Sequence, residues 1–293
     1  MFAGIYTPSI TPLREDGSID LENWEKHVDN LIAAGINGVL LFGSIGEFYA
    51  FTVEEKQEAI RHMTKHVAGR TQLLVGTGGT NQEEVIALTN YADECGADAV
   101  VIVSPYYFGP SEEVAEKYFS AIAENTKLPI LLYNFPDRTG SDLTPELVAR
   151  LAGKYESIVG IKDTVDNASH TRKIVQAVHP IRKDFSVLSG YDEYYLSNRV
   201  SGGAGILTGM TNVEPETFVA MHRAYERGDY AIAIQQATRV ANLMRIYDVS
   251  DLFITAIKAA VKVKGLPINT VAKEPALQAN AQTEAAVRNI LES

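Results

Sequence analysis

Ser157-Ile158-Val159-Gly160-Ile161-Lys162-Asp163-Thr164 is a short apolar run that closes on a lysine and an aspartate. Its length and its β-branched residues predict a buried strand. A strand interior is a poor place for an ammonium group unless the charge is paired or used. The stretch alone leaves two outcomes. Either the strand stops there and Lys162 snorkels to water beside Asp163, or Lys162 is a buried amine that can attack a carbonyl carbon.

Working outward, similar apolar or β-branched pieces recur at 2–6, 38–42, 72–76, 99–103, 129–133, 185–189 and 204–208. Stretches of helical period lie between them, for example 21–34, 53–67, 81–95, 111–125 and 214–227. Asp20, Thr52, Asn81, Ser111 and Thr144-Pro145 stand where helix caps belong. Gly35, Gly69, Gly96 and Gly153 stand where helices should close. Eight strand–helix units with short connections predict an α/β fold, a (β/α)8 TIM barrel. A doubly wound sheet would need a break in the strand series or a Gly-rich dinucleotide turn, and the sequence has neither. After Gly228 the alternation stops, and 230–247, 251–263 and 273–291 read as three helices. The expected division is a catalytic barrel over 1–228 and a helical C-terminal region over 229–293.

Composition narrows the function. A chain of 293 residues with 46% hydrophobic content is long enough for one large core. A net charge of -11 disfavours a nucleic-acid surface. No stretch nears the roughly 20 apolar residues that span a bilayer. The N-terminus lacks a basic region and a cleavage pattern, which predicts no export signal. Cys95 is the single cysteine, so an internal disulfide is excluded and a cytoplasmic location is expected.

In a barrel of this kind the chemistry sits at the carboxyl ends of the strands. Strand two ends in Gly43-Ser44-Ile45-Gly46-Glu47, a turn able to aim a hydroxyl and backbone N–H groups at a carboxylate. Glu47 is expected to fix that turn by accepting backbone hydrogen bonds. Strand four ends in Pro105-Tyr106-Tyr107-Phe108, aromatics suited to a subunit interface or a site mouth. Strand five brings Tyr133, a candidate proton relay, and Arg138, a candidate carboxylate clamp or merely a partner of Asp137. Strand six brings Lys162. Strand seven brings Asp192 and Glu193, which suit hydroxyl or metal ligation, and strand eight brings Thr208. A metal-dependent aldolase would need a His/Asp/Glu cluster. The six histidines fall in predicted helices or at their ends, so no metal and no other cofactor is expected. Lysine, tyrosine, serine and arginine on one rim make a Schiff-base aldolase set.

Gly43-Ser44-Ile45-Gly46-Glu47, Tyr133-Asn134-Phe135-Pro136 with Thr139-Gly140, and Gly160-Ile161-Lys162 together resemble the dihydrodipicolinate synthase and N-acetylneuraminate lyase superfamily of pyruvate-handling class I aldolases. The resemblance covers nearly the whole chain. It implies Lys162 as the Schiff-base lysine, Tyr133 as the proton-relaying phenol, and Ser44 as the hydroxyl that contacts Tyr133 and the pyruvyl carboxylate. It also implies a homotetramer, a dimer of dimers, and pyruvate with a small aldehyde or sugar acid as the molecules bound. Ile45 replaces the usual threonine and removes one hydroxyl from the carboxylate site. Arg138 and Tyr107 match positions that lysine-pathway synthases use for the aldehyde carboxylate and for a hydroxyl relay across the dimer. Asp192, Glu193 and Thr164 look instead like the sialate lyase pattern. Pro105-Tyr106-Tyr107-Phe108 with Ser111-Glu112, and Ile161-Lys162-Asp163-Thr164, look like the 2-keto-3-deoxy-sugar-acid aldolase branch. The acid pair orders these alternatives. It would repel the carboxylate of aspartate semialdehyde and accept hydrogen bonds from a polyhydroxy chain. Cleavage of a 2-keto-3-deoxy sugar acid, or of a substrate like N-acetylneuraminate, is therefore expected ahead of 4-hydroxy-tetrahydrodipicolinate synthase activity.

Overall fold

The run around Lys162 is a strand over Ile158–Asp163, β6. In the computed structural model, which describes residues 1–293, it is one of eight. The others are β1 (Gly4–Pro8), β2 (Gly38–Leu41), β3 (Gln72–Gly76), β4 (Ala99–Val103), β5 (Ile130–Asn134), β7 (Ser186–Ser189) and β8 (Gly205–Leu207). They follow one another in chain order around a closed barrel. The assigned strand pairings are parallel, as strand–helix repeats require. The chain forms two compact units. One comprises Met1–Gly4 and Gln72–Leu207, the other Ile5–Thr71 and Thr208–Ser293.

The first unit holds β3 to β8 with helices α3 (Gln82–Cys95), α4 (Glu112–Glu124), α5 (Pro136–Thr139), α6 (Pro145–Lys154), α7 (Ala168–Val178) and α8 (Tyr195–Val200). Its strands are short continuous apolar runs because both faces are covered. Val100, Ile102, Leu131, Leu132, Ile161 and Val187 are all buried. Asn81, Ser111 and Thr144 cap α3, α4 and α6 through their side-chain oxygens, as expected from the sequence. Gly153 does not end its helix. Bonding continues through it to Tyr155 N–H, which donates to Leu151, and α6 closes at Lys154.

The second unit holds β2 and most of β1, with α1 (Leu21–Ala34), α2 (Val53–Val67), α9 (Pro215–Glu226), α10 (Tyr230–Leu243), α11 (Phe253–Val263) and α12 (Ala281–Leu291). β1 lies two residues later than its apolar run, because Thr7 and Pro8 still register with Val39 and Leu40. The helix α2 closes at Ala68 in the left-handed region, one residue before the expected Gly69. The last helix is shorter than the 273–291 stretch. Residues 272–278 are instead held by Gln278, whose side chain bonds both the N–H and the carbonyl of Ala272. Asn280 and Thr283 then form the capping box that starts α12. No helix is long and apolar enough to cross a membrane.

Candidate active site

In the first unit, Tyr133 and Lys162 are register partners on β5 and β6. Both side chains are buried, with Lys162 only 5% exposed. The Lys162 Nζ lies 4.3 Å from the centroid of the Tyr133 ring. At that distance the ring face attracts an ammonium group and directs it. Lys162 therefore does not snorkel to water.

The next register pair, Asn134 and Asp163, points to the opposite face of the same strands, since side chains alternate. Asp163 is 1% exposed. Its carboxylate accepts hydrogen bonds from Thr171 Oγ1 at 2.8 Å, His170 Nδ1 at 3.0 Å and Asn134 Nδ2 at 3.2 Å. The Nε2 of His170 sits 3.4 Å from Asp142 Oδ1, within ion-pair reach but without hydrogen-bond geometry. Burial opposes a charge on His170. Asp142 and Asp163 outweigh it and push its pKa up to about 10. The His170 contact also holds the Asp142 carboxyl below its usual range, against burial.

Thr164 continues the chain after Asp163, with its N–H bonded to the Asn134 carbonyl. Its Oγ1 is buried without a hydrogen-bond partner. A Cβ on Gly190 would lie 1.9 Å from that oxygen, so only glycine lets β7 turn past Thr164. Asp192 and Glu193 follow in a short 3-10 turn, Asp192–Tyr194. Asp192 is buried and Glu193 exposed. Glu193 is held above the ordinary carboxyl range by partial burial and by Asp166. Asp166 accepts a 2.5 Å hydrogen bond from Tyr194 Oη. Burial raises the Tyr191 phenol, and Asp166, Asp137 and Glu193 add to that while Arg138 opposes it. Three carboxylates and one guanidinium thus bear on one tyrosine. Arg138, in α5, is exposed and sits 5.9 Å over the Phe135 ring. Tyr107 and Phe108 are 87% and 92% exposed, edge to face with each other, and Tyr107 has a left-handed φ of 83°.

In the second unit, Ser44 begins the turn after β2, and its carbonyl accepts from Glu47 N–H. Ile45 is buried. A Cβ on Gly209 would come within 2.4 Å of Ile45 Cδ1 and 2.3 Å of Tyr247 Oη, so the isoleucine methyl and the tyrosine hydroxyl both reach the space that glycine leaves open. Thr208 is buried with no partner for its Oγ1. The expectation for Glu47 needs correcting. Its carboxylate does not brace its own turn. It accepts from Lys258 Nζ at 2.5 Å and from Lys273 N–H at 2.8 Å, and Lys258 is fully buried in α11. Sequence reasoning missed Lys258, His170 and Asp166. A lysine in the middle of an apolar helix, Phe253–Val263, was the only signal for the first. The histidines His62 and His66 pair with Glu25 and Asp29 of α1, in keeping with an outer-helix position. No group of three His, Cys, Asp or Glu side chains is placed to hold a metal ion.

A model of the dihydrodipicolinate synthetase family matches residues 1–293. The chain is 36% identical over 292 residues to the Escherichia coli K12 protein named "Putative 2-dehydro-3-deoxy-D-gluconate aldolase YagE", covering 100% of this chain and 97% of that one. It is also 36% identical to the "Probable 2-dehydro-3-deoxy-D-pentonate aldolase YjhH" of the same organism, covering 99% and 96%. The crystal structure of YagE in complex with pyruvate matches this fold with a TM-score of 0.97, over 100% of this chain and 98% of that chain.

Proposed function

The chain belongs to the dihydrodipicolinate synthetase family, and from that premise we propose that it is a class I aldolase reversibly cleaving a 2-keto-3-deoxy sugar acid to pyruvate and an aldehyde. The observation that carries this reading is the buried Lys162 amine held 4.3 Å from the Tyr133 ring centroid on paired strand ends. The neutral amine adds to the C2 carbonyl of the keto acid, and water leaves to form an iminium. Tyr133 takes the proton of the C4 hydroxyl as the C3–C4 bond breaks. The electron pair passes into the iminium, giving an enamine and the free aldehyde. Protonation at C3 and addition of water then release pyruvate and restore Lys162.

Ser44 and Thr208 are proposed to serve the pyruvyl carboxylate and its surroundings, with Ile45 contributing its backbone N–H. Thr164, Asp192, Glu193 and Arg138 are proposed to meet the remainder of the substrate. The carboxylates around Tyr191 favour a chain of hydroxyl donors over a second carboxylate. The exposed Tyr107 and Phe108 support assembly into a homotetramer, and a cytoplasmic location completes the proposal.

The test is borohydride trapping with pyruvate, followed by turnover assays. A reduced pyruvyl mass should appear on Lys162 and vanish in Lys162→Ala. Pyruvate release from 2-keto-3-deoxygluconate or its galactose-derived epimer should exceed condensation with aspartate semialdehyde. Glu193→Gln should impair sugar-acid cleavage far more than pyruvate trapping. Labelling of another lysine would overturn the mechanism. Faster condensation with aspartate semialdehyde, indifferent to Glu193→Gln, would establish synthase activity instead.

A further inference from the structure

We propose that the outward-facing cluster of Asn134, Asp163, His170 and Thr171 positions the Lys162 amine against the Tyr133 ring; the inference rests on the Schiff-base reading above. Lys162 and Tyr133 are paired across β5 and β6, and Asp163 and Asn134 are the very next pair. Adjacent residues of a strand share one backbone, so locking the second pair locks the first. The lock is dense. Asp163 accepts from three side chains, two of them on α7 and one on β5. Asn134 is saturated too. Its Oδ1 accepts from Leu143 N–H, its Nδ2 donates to Asp142 and Asp163, and its carbonyl accepts from Thr164 N–H. All four members of the cluster are buried.

Stability does not require this arrangement, because an apolar pair of similar volume can hold two strand ends as well as buried charges do. What a densely hydrogen-bonded polar network adds is one fixed geometry, since shifting a member costs Asp163 or Asn134 a buried partner. The covalent step needs such a geometry. The amine must meet the keto carbon while the phenol stays in line with the proton it moves, and misplacement by about 1 Å costs on the order of 100-fold in rate. Asn134, Asp163, His170 and Thr171 are on this account positioning residues that act through Lys162 and Tyr133.

The experiment follows formation of the pyruvyl imine in a single turnover, trapped with borohydride and read as mass on Lys162. His170→Ala should slow trapping by about tenfold, with the half-saturating pyruvate concentration changed by less than about threefold. In His170→Asn, an amide N–H stands near the place of Nδ1, and trapping should return to within about threefold of the wild type. Thr171→Val keeps the side-chain shape, loses one donor to Asp163, and should slow trapping by about threefold. Wild-type trapping rates in folded His170→Ala would overturn the proposal, as would an asparagine no better than alanine. If His170→Ala does not fold, Thr171→Val decides, and an unchanged rate there overturns it. A wild-type protein that forms no adduct on Lys162 would instead bring down the Schiff-base reading, and the inference with it.

Discussion

Replacing Lys258 by methionine tests the buried charge pair that it forms with Glu47. Lys258 Nζ donates to Glu47 Oε1 at 2.5 Å and to the Val271 carbonyl at 2.7 Å, and neither charged side chain reaches solvent. Methionine fills nearly the same volume, so little cavity forms. It does strand the Glu47 carboxylate, which keeps the hydrogen bond from Lys273 N–H but loses its buried countercharge. Breaking a buried pair from one side costs about 3–5 kcal/mol, because one charge stays behind uncompensated. For a chain of 293 residues the unfolding entropy corresponds to about 0.6 kcal/mol per degree, so the midpoint should fall by about 5–8 °C. The double variant Lys258→Met/Glu47→Gln removes the stranded charge and should recover at least half of that loss. Calorimetry of the three proteins at one scan rate and neutral pH measures both steps. A drop of less than about 1 °C in Lys258→Met, or a double variant no more stable than the single, would refute the reasoning.

Tyr133→Phe keeps the ring against Lys162 and removes only the hydroxyl. Pyruvate trapping should persist, while cleavage turnover falls by about 100-fold or more; a loss below about threefold would assign Tyr133 to packing. His170 makes stability depend on alkaline pH. Its folded pKa lies above its ordinary value, so its stabilisation is complete below about pH 6.5 and is lost as pH rises toward about 10. The unfolding midpoint should therefore decline more steeply between pH 7 and 10 in the wild type than in His170→Asn. Asp142 and Asp163 are the charges that face the imidazole, and His170→Asn keeps both while losing the titrating ring, so parallel pH profiles would contradict the assignment.

The order of strands and helices was legible because it rests on local features. A strand covered on both faces must be apolar, and an outer helix must repeat its apolar residues every three to four positions. β4 to β7 fall within one residue of their apolar runs for that reason. The caps at Asn81, Ser111 and Thr144 were legible too, since each oxygen serves a backbone N–H two or three residues away. Helix ends at Gly69 and Gly153 were not. Glycine permits the left-handed turn that closes a helix, but it does not fix where the turn begins, and at the end of α2 Ala68 already takes that conformation before Gly69 does. The site followed the same division. Lys162 and Tyr133 could be placed at strand ends by counting along their own segments.

What the sequence by itself determined is the eight-fold strand–helix series, the strand-end positions of Lys162, Tyr133, Asp192 and Glu193, and the resemblance those motifs carry. What only the tertiary structure decided is which charges meet. Glu47 finds Lys258 across 211 residues of chain. His170 turns its two ring nitrogens to Asp163 and Asp142, and Ile45 settles against Gly209. The physical reason is that secondary structure arises from periodicity and backbone conformation over a few neighbours. Electrostatic pairing arises from distance in space, and burial sets its strength. A lysine in an apolar helix and a glutamate in a tight turn carry no mark of each other until the chain brings them together and water is gone.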